Sequence, residues 1–234
     1  MTTRPGGRLG ASPRVLCLIP ARAGSKRIPD KNLATIGDAP LLRIAVERAI
    51  QAFGAAYVST DSANYAELAV SWGATVPTLR PSALSSDTAT TESVVVHALD
   101  EWDVEADTVV VTQPTSPFTT PEELVALARA LDAVPPPATA LIATMLEATA
   151  AYALDVTDQT NARFLLPELR VRRTQELPPL AKPTGGGYAA SVDRLRSGGA
   201  LLEEPVAVVL TGARGALDID DPEDLERARS LAVS

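Results

Sequence analysis

The chain has 234 residues, 46% of them hydrophobic, and a formal net charge of −8, enough length and apolar content for one large α/β domain with a full core. Its acidity excludes a protein that coats nucleic acid, because neutralising a phosphate backbone takes an extended basic surface. No apolar stretch is long enough to span a bilayer, so no membrane partner is expected. The opening MTTRPGGRLGASPR lacks the hydrophobic segment of a secretory signal, so residues 1–13 are expected to be a flexible tail before a single domain over 14–234.

Strand-like and helix-like segments alternate, the pattern of a Rossmann-like, mostly parallel sheet with helices on both faces. The first predicted strand is VLCLIPA (15–21), in which Cys17, the only cysteine, reads as a buried thiol suited to a reducing, cytoplasmic setting. A turn-like segment, IPARAGSKRIPDKN (19–32), overlaps its end. Then follow the helix LLRIAVERAIQAF, the strand AAYVST (55–60), the helix SANYAELAVSWG and a third strand, ATVPTL (74–79). The helix TESVVVHALDEW carries His97, the only histidine, beside three valines, which fits packing or a surface position better than catalysis. Next come the strand DTVVVTQ (107–113), the helix PEELVALARALDA, a stiff prolyl connection in PPPATA (135–140) and the strand ATALIAT (138–144). Residues 145–185 include PELRVRRTQELPPLAKPTGG, rich in proline and arginine and without either period, and are expected to form an insertion from the sheet. GGYAASV (186–192) and PVAVVL (205–210) complete the strands, and all four helices carry apolar residues at three- and four-residue spacing.

The segment 19–32 gathers Arg22, Lys26, Arg27 and Lys31 at the carboxyl end of the first strand, where open α/β sheets bind ligands. Of 21 basic residues only three are lysines, and two of those, Lys26 and Lys31, lie within six positions of each other. Gly24 lets backbone approach a ligand closely and neighbouring N–H groups face phosphate oxygens. Arg22 supplies a planar fork, and the lysines supply compact charges. A small phosphorylated ligand fits this pattern, and a solvated basic loop is its plain alternative. Neither a Walker loop nor a GxGxxG dinucleotide fingerprint is present.

ARAGSKRIPDKN resembles the signature of the CMP-sialic acid synthetases, the acylneuraminate cytidylyltransferases. STD (59–61), LRPSALSSDTATT (79–91), QPTSPF (113–118) and LDIDDPEDLERA (217–228) resemble the same family in the same order, over about residues 15–230. The resemblance implies a nucleotide-diphospho-sugar transferase type of sheet. It also implies transfer of a cytidylyl group from CTP to a nine-carbon 2-keto acid sugar, with release of pyrophosphate. Arg22, Lys26, Lys31 and Asn32 match the positions that hold the triphosphate, with Gly24 and Ser25 in the same turn. The metal, Mg²⁺, is assigned to Asp218 and Asp220, and Arg22 and Lys26 join them as the expected catalytic set. In extended backbone LDID puts both carboxylates on one face and turns Leu217 and Ile219 inward. DIDDPEDL also reads as a helix start with Asp221 as cap, and the two readings are compatible.

Arg80 and Thr91 match the family's base-contacting positions, where the alternative is a loop with Asp87 or Thr88 capping the next helix. Gln113 matches a residue on the acceptor sugar, and Pro114 and Pro117 after it stiffen the turn. The acceptor segment departs from the family pattern. VRRTQELP has Thr174 where an arginine is usual, and KPTGGGY has Lys182 and Thr184 for an arginine and an asparagine. Arg172, Arg173, Gln175, Lys182 and Tyr188 are the expected sugar contacts, and a different acceptor, such as an eight-carbon keto-acid sugar or a phosphonate, is an alternative. A catalytically inactive nucleotide-binding protein is the third reading. The resemblance also implies that the insertion pairs two subunits, and Leu165, Leu166, Leu177 and Leu180 would otherwise be exposed there, so a homodimer is expected.

Overall fold

The computed structural model describes residues 14–86, 88–133, 136–157 and 161–233. The expected tail at 1–13 and Pro135 of the prolyl connection lie outside the described residues. The strands among the described residues are β1 (Val15–Pro20), β2 (Thr35–Ile36), β3 (Ala39–Pro40), β4 (Tyr57–Ser59), β5 (Thr108–Val111), β6 (Thr139–Met145), β7 (Leu154–Asp155), β8 (Arg163–Phe164), β9 (Ala181–Ser191) and β10 (Val206–Thr211). The α-helices among the described residues are α1 (Leu41–Phe53), α2 (Ala63–Ser71), α3 (Thr91–Glu101), α4 (Pro121–Ala130), α5 (Val192–Arg196) and α6 (Pro222–Val233).

The main sheet has the order β10-β6-β9-β5-β1-β4. β1 runs parallel to β4 and β5, β10 runs parallel to β6, and β9 alone runs antiparallel, between β5 and β6. The chain leaves β1 towards β4 on one side and returns to β5 on the other, so the switch point of the sheet lies at the carboxyl ends of β1 and β5. Because β9 is reversed, its first residues, Lys182 to Gly185, reach this same edge.

Alternation places hydrophobic residues on both faces. Cys17, Ile19, Val58, Val110 and Ile142 pack with Leu42, Val46, Leu124 and Leu127 of α1 and α4. Leu16, Leu18, Val109 and Val111 pack with Val94, Val95, Leu99 and Trp102 on the α3 side. α1 ends at Gly54, whose left-handed φ of 77° lets its N–H reach the Ile50 carbonyl. α4 starts with a capping box, Thr120 with Glu123, and has Pro121 in the first turn.

The structure moves several expected boundaries. ATVPTL forms no strand: Thr75 makes a single bridge to Tyr57, and Pro77 and Pro81 interrupt continued pairing. β9 starts at Ala181, five residues before the expected GGYAASV, because Lys182 and Pro183 pair with Thr144 and Ala143 across an irregularity in β6. The segment from 146 to 180 holds the short pair β7–β8 and two 3-10 turns, Ala148–Tyr152 and Thr174–Glu176. It leaves the sheet at the end of β6 and returns to it in β9.

Candidate active site

The basic turn is fixed at both ends by hydrogen bonds. Asp61, just past β4, accepts from the Ala23 N–H at 2.9 Å, and the Asn32 amide donates to the Arg22 carbonyl at 2.9 Å. Gly24 has φ 75°, a left-handed geometry that side chains avoid. At the far end Asp30 also adopts a left-handed conformation, φ 47°, and its carboxylate accepts from the Tyr65 hydroxyl at 3.1 Å. Burial, and then the Asp30 hydrogen bond and charge, push the Tyr65 phenol well above its ordinary range, so it stays a donor.

LDID meets this turn across a third apolar cluster. Ile28 of the turn, Leu217 and Ile219 of LDID, and Leu225 and Ala228 of α6 bury one another together with Ile36 and Leu41. The alternation expected for LDID holds, with Leu217 and Ile219 at 7% and 0% exposure and the aspartates outside the core. Lys31 spans the junction: Nζ donates to the Ile219 carbonyl at 2.7 Å and lies 3.6 Å from Asp220 Oδ1. Arg27 reaches the same carboxylate oxygen at 3.7 Å. Asp221 caps α6, accepting from the Glu223 and Asp224 N–H groups at 2.9 and 3.0 Å, as the helix-start reading of DIDDPEDL expects.

Asp218 faces the turn that follows β5. Its Oδ1 accepts from the Ser116 hydroxyl at 3.2 Å, and the Ile219 N–H donates to the Thr115 carbonyl at 2.8 Å. β9 passes against this contact at Gly185, where a Cβ would lie 2.7 Å from Ser116 Oγ and 2.9 Å from Asp218 Oδ2. Burial, and then the Asp218 charge, raise the Tyr188 phenol, which keeps it protonated on this side of the carboxylate.

Two open cavities of about 240 and 310 Å³ share Arg22, Ser25 and Lys31. The first also has Asn32, Arg80, Thr91 and Gln113 in its wall, and the second has Lys26, Arg27 and Asp220. One cleft therefore runs from the β1–β5 switch point to LDID. Arg80 is 6% exposed, and its Nε and Nη2 have no hydrogen-bond partner among the described residues. Burial lowers its pKa, Asp61 opposes that shift, and Arg22 adds to it. Arg80 thus holds a buried guanidinium with unpaired nitrogens in the wall of the first cavity.

The other predicted residues fall elsewhere. Arg172, Arg173, Gln175 and Lys182 are exposed and line neither cavity. Helix α3 is capped by Thr90, whose Oγ1 accepts from the Ser93 N–H at 3.1 Å, and not by Thr88, while Asp87 lies outside the described residues. His97 is half-buried on α3, away from the cleft. Sequence reasoning missed Asp61 as an anchor of the basic turn, together with Ser116 and Arg48. Arg48 carried a signal: it sits seven residues after Leu41 and three after Ala45, on the apolar stripe of α1.

The donor set at LDID suits a hard divalent cation, since it offers two carboxylates beside a cleft with room for phosphate oxygens and water. Among the described residues no group of three or more acidic, cysteine or histidine side chains could hold a metal alone.

The protein-family model described as Cytidylyltransferase matches residues 16–163, more than half of the chain. CMP-N,N'-diacetyllegionaminic acid synthase of Legionella pneumophila is 30% identical over 90% of this chain and 93% of its own length. The 3-deoxy-manno-octulosonate cytidylyltransferase of Anaeromyxobacter is 32% identical over 94% of this chain and 98% of its own. Among solved structures, CMP:2-keto-3-deoxy-manno-octonic acid synthetase complexed with CTP superposes with a TM-score of 0.72, at 22% identity over 94% of this chain and 98% of that one, a likeness of fold. With the basic turn and LDID facing one cleft and relatives that align over nearly the whole chain, the chain belongs to the cytidylyltransferase family, the nucleotidyltransferases whose five sequence blocks it resembles.

Proposed function

We propose that this enzyme transfers the cytidylyl group of CTP to the anomeric hydroxyl of a nonulosonic, sialic-acid-like sugar. The carrying observation is the cleft that joins Arg22, Lys31 and Arg80 to Asp220, with Asp218 two residues before it on the Ser116 hydroxyl. In the reaction the acceptor hydroxyl gives its proton to water as its oxygen bonds to the α-phosphorus, the bond from that phosphorus to the bridging oxygen breaks, and pyrophosphate leaves with the released charge.

Each demand of that step has residues to meet it. Arg22, Lys26 and Lys31, with Ser25 and the N–H groups beside Gly24, neutralise and orient the triphosphate. Asn32 acts through the Arg22 carbonyl that its amide already holds. Arg80 and the Thr91 hydroxyl meet the acceptor edge of cytosine, whose ring nitrogen and carbonyl suit the donors left free on Arg80. Gln113, at the end of β5, faces the acceptor sugar. Asp218 and Asp220 would hold Mg²⁺, which when bound supplies charge neutralisation at the phosphate and acidity to the attacking hydroxyl. A cytoplasmic setting, where CTP is supplied, is part of this proposal.

The remaining acceptor contacts, Arg172, Arg173, Gln175 and Lys182, are proposed to act between subunits. The insertion exposes Leu154, Val156, Phe164, Leu165 and Val171, the last at 82%, and β10 exposes Val206, Val208 and Leu210. Leu166, Leu177 and Leu180 are half-buried. A homodimer would cover such surfaces and bring the insertion of one copy to the cleft of the other. Light scattering across working concentrations checks this: a dimer mass is expected, and a clean monomer refutes it.

The reaction is tested by incubating the protein with CTP, Mg²⁺ and a panel of keto-acid sugars while following pyrophosphate. Release with a nonulosonate is expected. Release with an eight-carbon keto-acid sugar alone supports the second reading, favoured by the full-length octulosonate relative and by the altered KPTGGGY segment. Tight CTP binding with no release on any acceptor refutes both.

A further inference from the structure

Arg48 lies outside both cavities and is 4% exposed, on the buried face of α1. Its guanidinium has no carboxylate within ion-pair distance among the described residues and is held instead by four oxygens. Nη1 donates to the Ser116 carbonyl at 2.7 Å and the Thr119 carbonyl at 3.3 Å. Nη2 donates to Thr112 Oγ1 at 2.7 Å and the Gln113 carbonyl at 3.2 Å. The Thr112 hydroxyl in turn donates to the Gly186 carbonyl at 2.9 Å, which ties the end of β5 to β9.

Burial is the main cause that brings the Arg48 pKa down to about 10, so the group keeps its charge at neutral pH in an interior that disfavours it. An apolar side chain at this place on the α1 stripe would avoid that cost. What it would not do is fix the direction of three carbonyls in one turn, which a planar guanidinium does through its fork of donors. That turn carries Gln113 into the cleft and Ser116 to Asp218.

We propose that Arg48 is a positioning residue for Asp218: it clamps the 112–119 turn so that the Ser116 hydroxyl holds one carboxylate oxygen and leaves the other for a divalent cation. The proposal rests on the reading of Asp218 and Asp220 as the cation's ligands. Gly185 keeps that second oxygen clear, since a Cβ there would lie 2.7 Å from Ser116 Oγ and 2.9 Å from Asp218 Oδ2. Partners that orient a metal ligand typically govern metal affinity by about 10–100-fold.

The test measures Mn²⁺ affinity in the CTP complex by electron paramagnetic resonance, and CTP affinity without divalent ions by calorimetry. The proteins compared are wild type, Arg48→Met, Arg48→Lys, Ser116→Ala and Asp218→Asn. Arg48→Met and Ser116→Ala are expected to weaken Mn²⁺ about tenfold while CTP alone binds within twofold of wild type. The Arg48→Met/Ser116→Ala double variant should be no weaker than Arg48→Met, because both act through one contact. Arg48→Lys should recover part of the loss. Ser116→Ala removes a single oxygen and carries the test if Arg48→Met fails to fold. Native Mn²⁺ affinity in Ser116→Ala and in any folded Arg48 variant, with Asp218→Asn impaired, overturns the positioning role. Native affinity in Asp218→Asn itself shows instead that the metal reading is wrong, and the proposal falls with it.

Discussion

Gly185→Ala adds one methyl group between Ser116 and Asp218. The new Cβ would stand 2.7 Å from Ser116 Oγ, 2.9 Å from Asp218 Oδ2 and 3.0 Å from Asp218 Cγ, where ordinary contact starts at 3.4 Å. Both neighbours must therefore retreat by roughly half an ångström or more, and both belong to the site. Overpacking of this kind costs about 1–3 kcal/mol, and about 0.4–1 kcal/mol is recovered because alanine restricts the unfolded chain. The melting temperature should thus fall by only a few degrees. The displaced carboxylate carries the larger consequence, since misplacement approaching an ångström costs up to about 100-fold in rate. Steady-state pyrophosphate release should show kcat reduced roughly 10- to 100-fold and a higher Mg²⁺ requirement. Gly212→Ala is the control, because a Cβ there meets nothing within 4 Å. Gly185→Ala with native kcat and native Mg²⁺ dependence would refute the reasoning.

Lys31→Met removes the 2.7 Å bond to the Ile219 carbonyl and the charge beside Asp220. It should raise the KM for CTP about tenfold or more and lower the unfolding free energy by about 1–2 kcal/mol in urea titrations. Arg80→Met should weaken CTP binding with little loss of stability, because it removes a buried cation whose Nε and Nη2 have no partners; a large fall in melting temperature with native CTP affinity would contradict this. Cys17 is buried and its thiol is pushed up to about 12 from an ordinary 9.0. The unfolded chain therefore loses this proton first as pH rises, and the Cys17 contribution to stability, complete below pH 9, declines between pH 9 and about 12. Wild type should lose about 1.4 kcal/mol per pH unit more than Cys17→Ala in the middle of that window.

What the sequence disclosed and what it withheld divide along the range of the interactions. β1, β5, β6 and helices α1 to α4 were predicted with boundaries close to those observed, because alternation and helical spacing are local properties of VLCLI, TVVV or PEELVALARA. ATVPTL failed because its β-forming residues are crossed by prolines and the fold leaves it only the one bridge at Thr75. The early start of β9 depends on pairing with Thr144 and Met145, some forty residues away, which no local pattern encodes. In the site, the basic turn and LDID were visible as unusual local chemistry. Their meeting was not, because it is made by Ile28, Ile219 and Leu225 packing across the length of the chain. Asp61 and Arg48 act through backbone groups of distant turns, so residue type alone hid them. The exposed Arg172, Arg173 and Lys182, which line neither cavity, show the converse: a motif identifies candidate contacts without telling where the fold will place them.

The account stands on one cation and one triphosphate shared between the basic turn and LDID. A crystal structure of the enzyme with a non-hydrolysable CTP analogue and Mn²⁺, read at the manganese absorption edge, tests this most directly. An anomalous peak within coordination distance of Asp218 and Asp220, with the triphosphate on Arg22, Lys26 and Lys31, is the predicted result. Manganese bound elsewhere, or a triphosphate that bypasses the 22–32 turn, would contradict it.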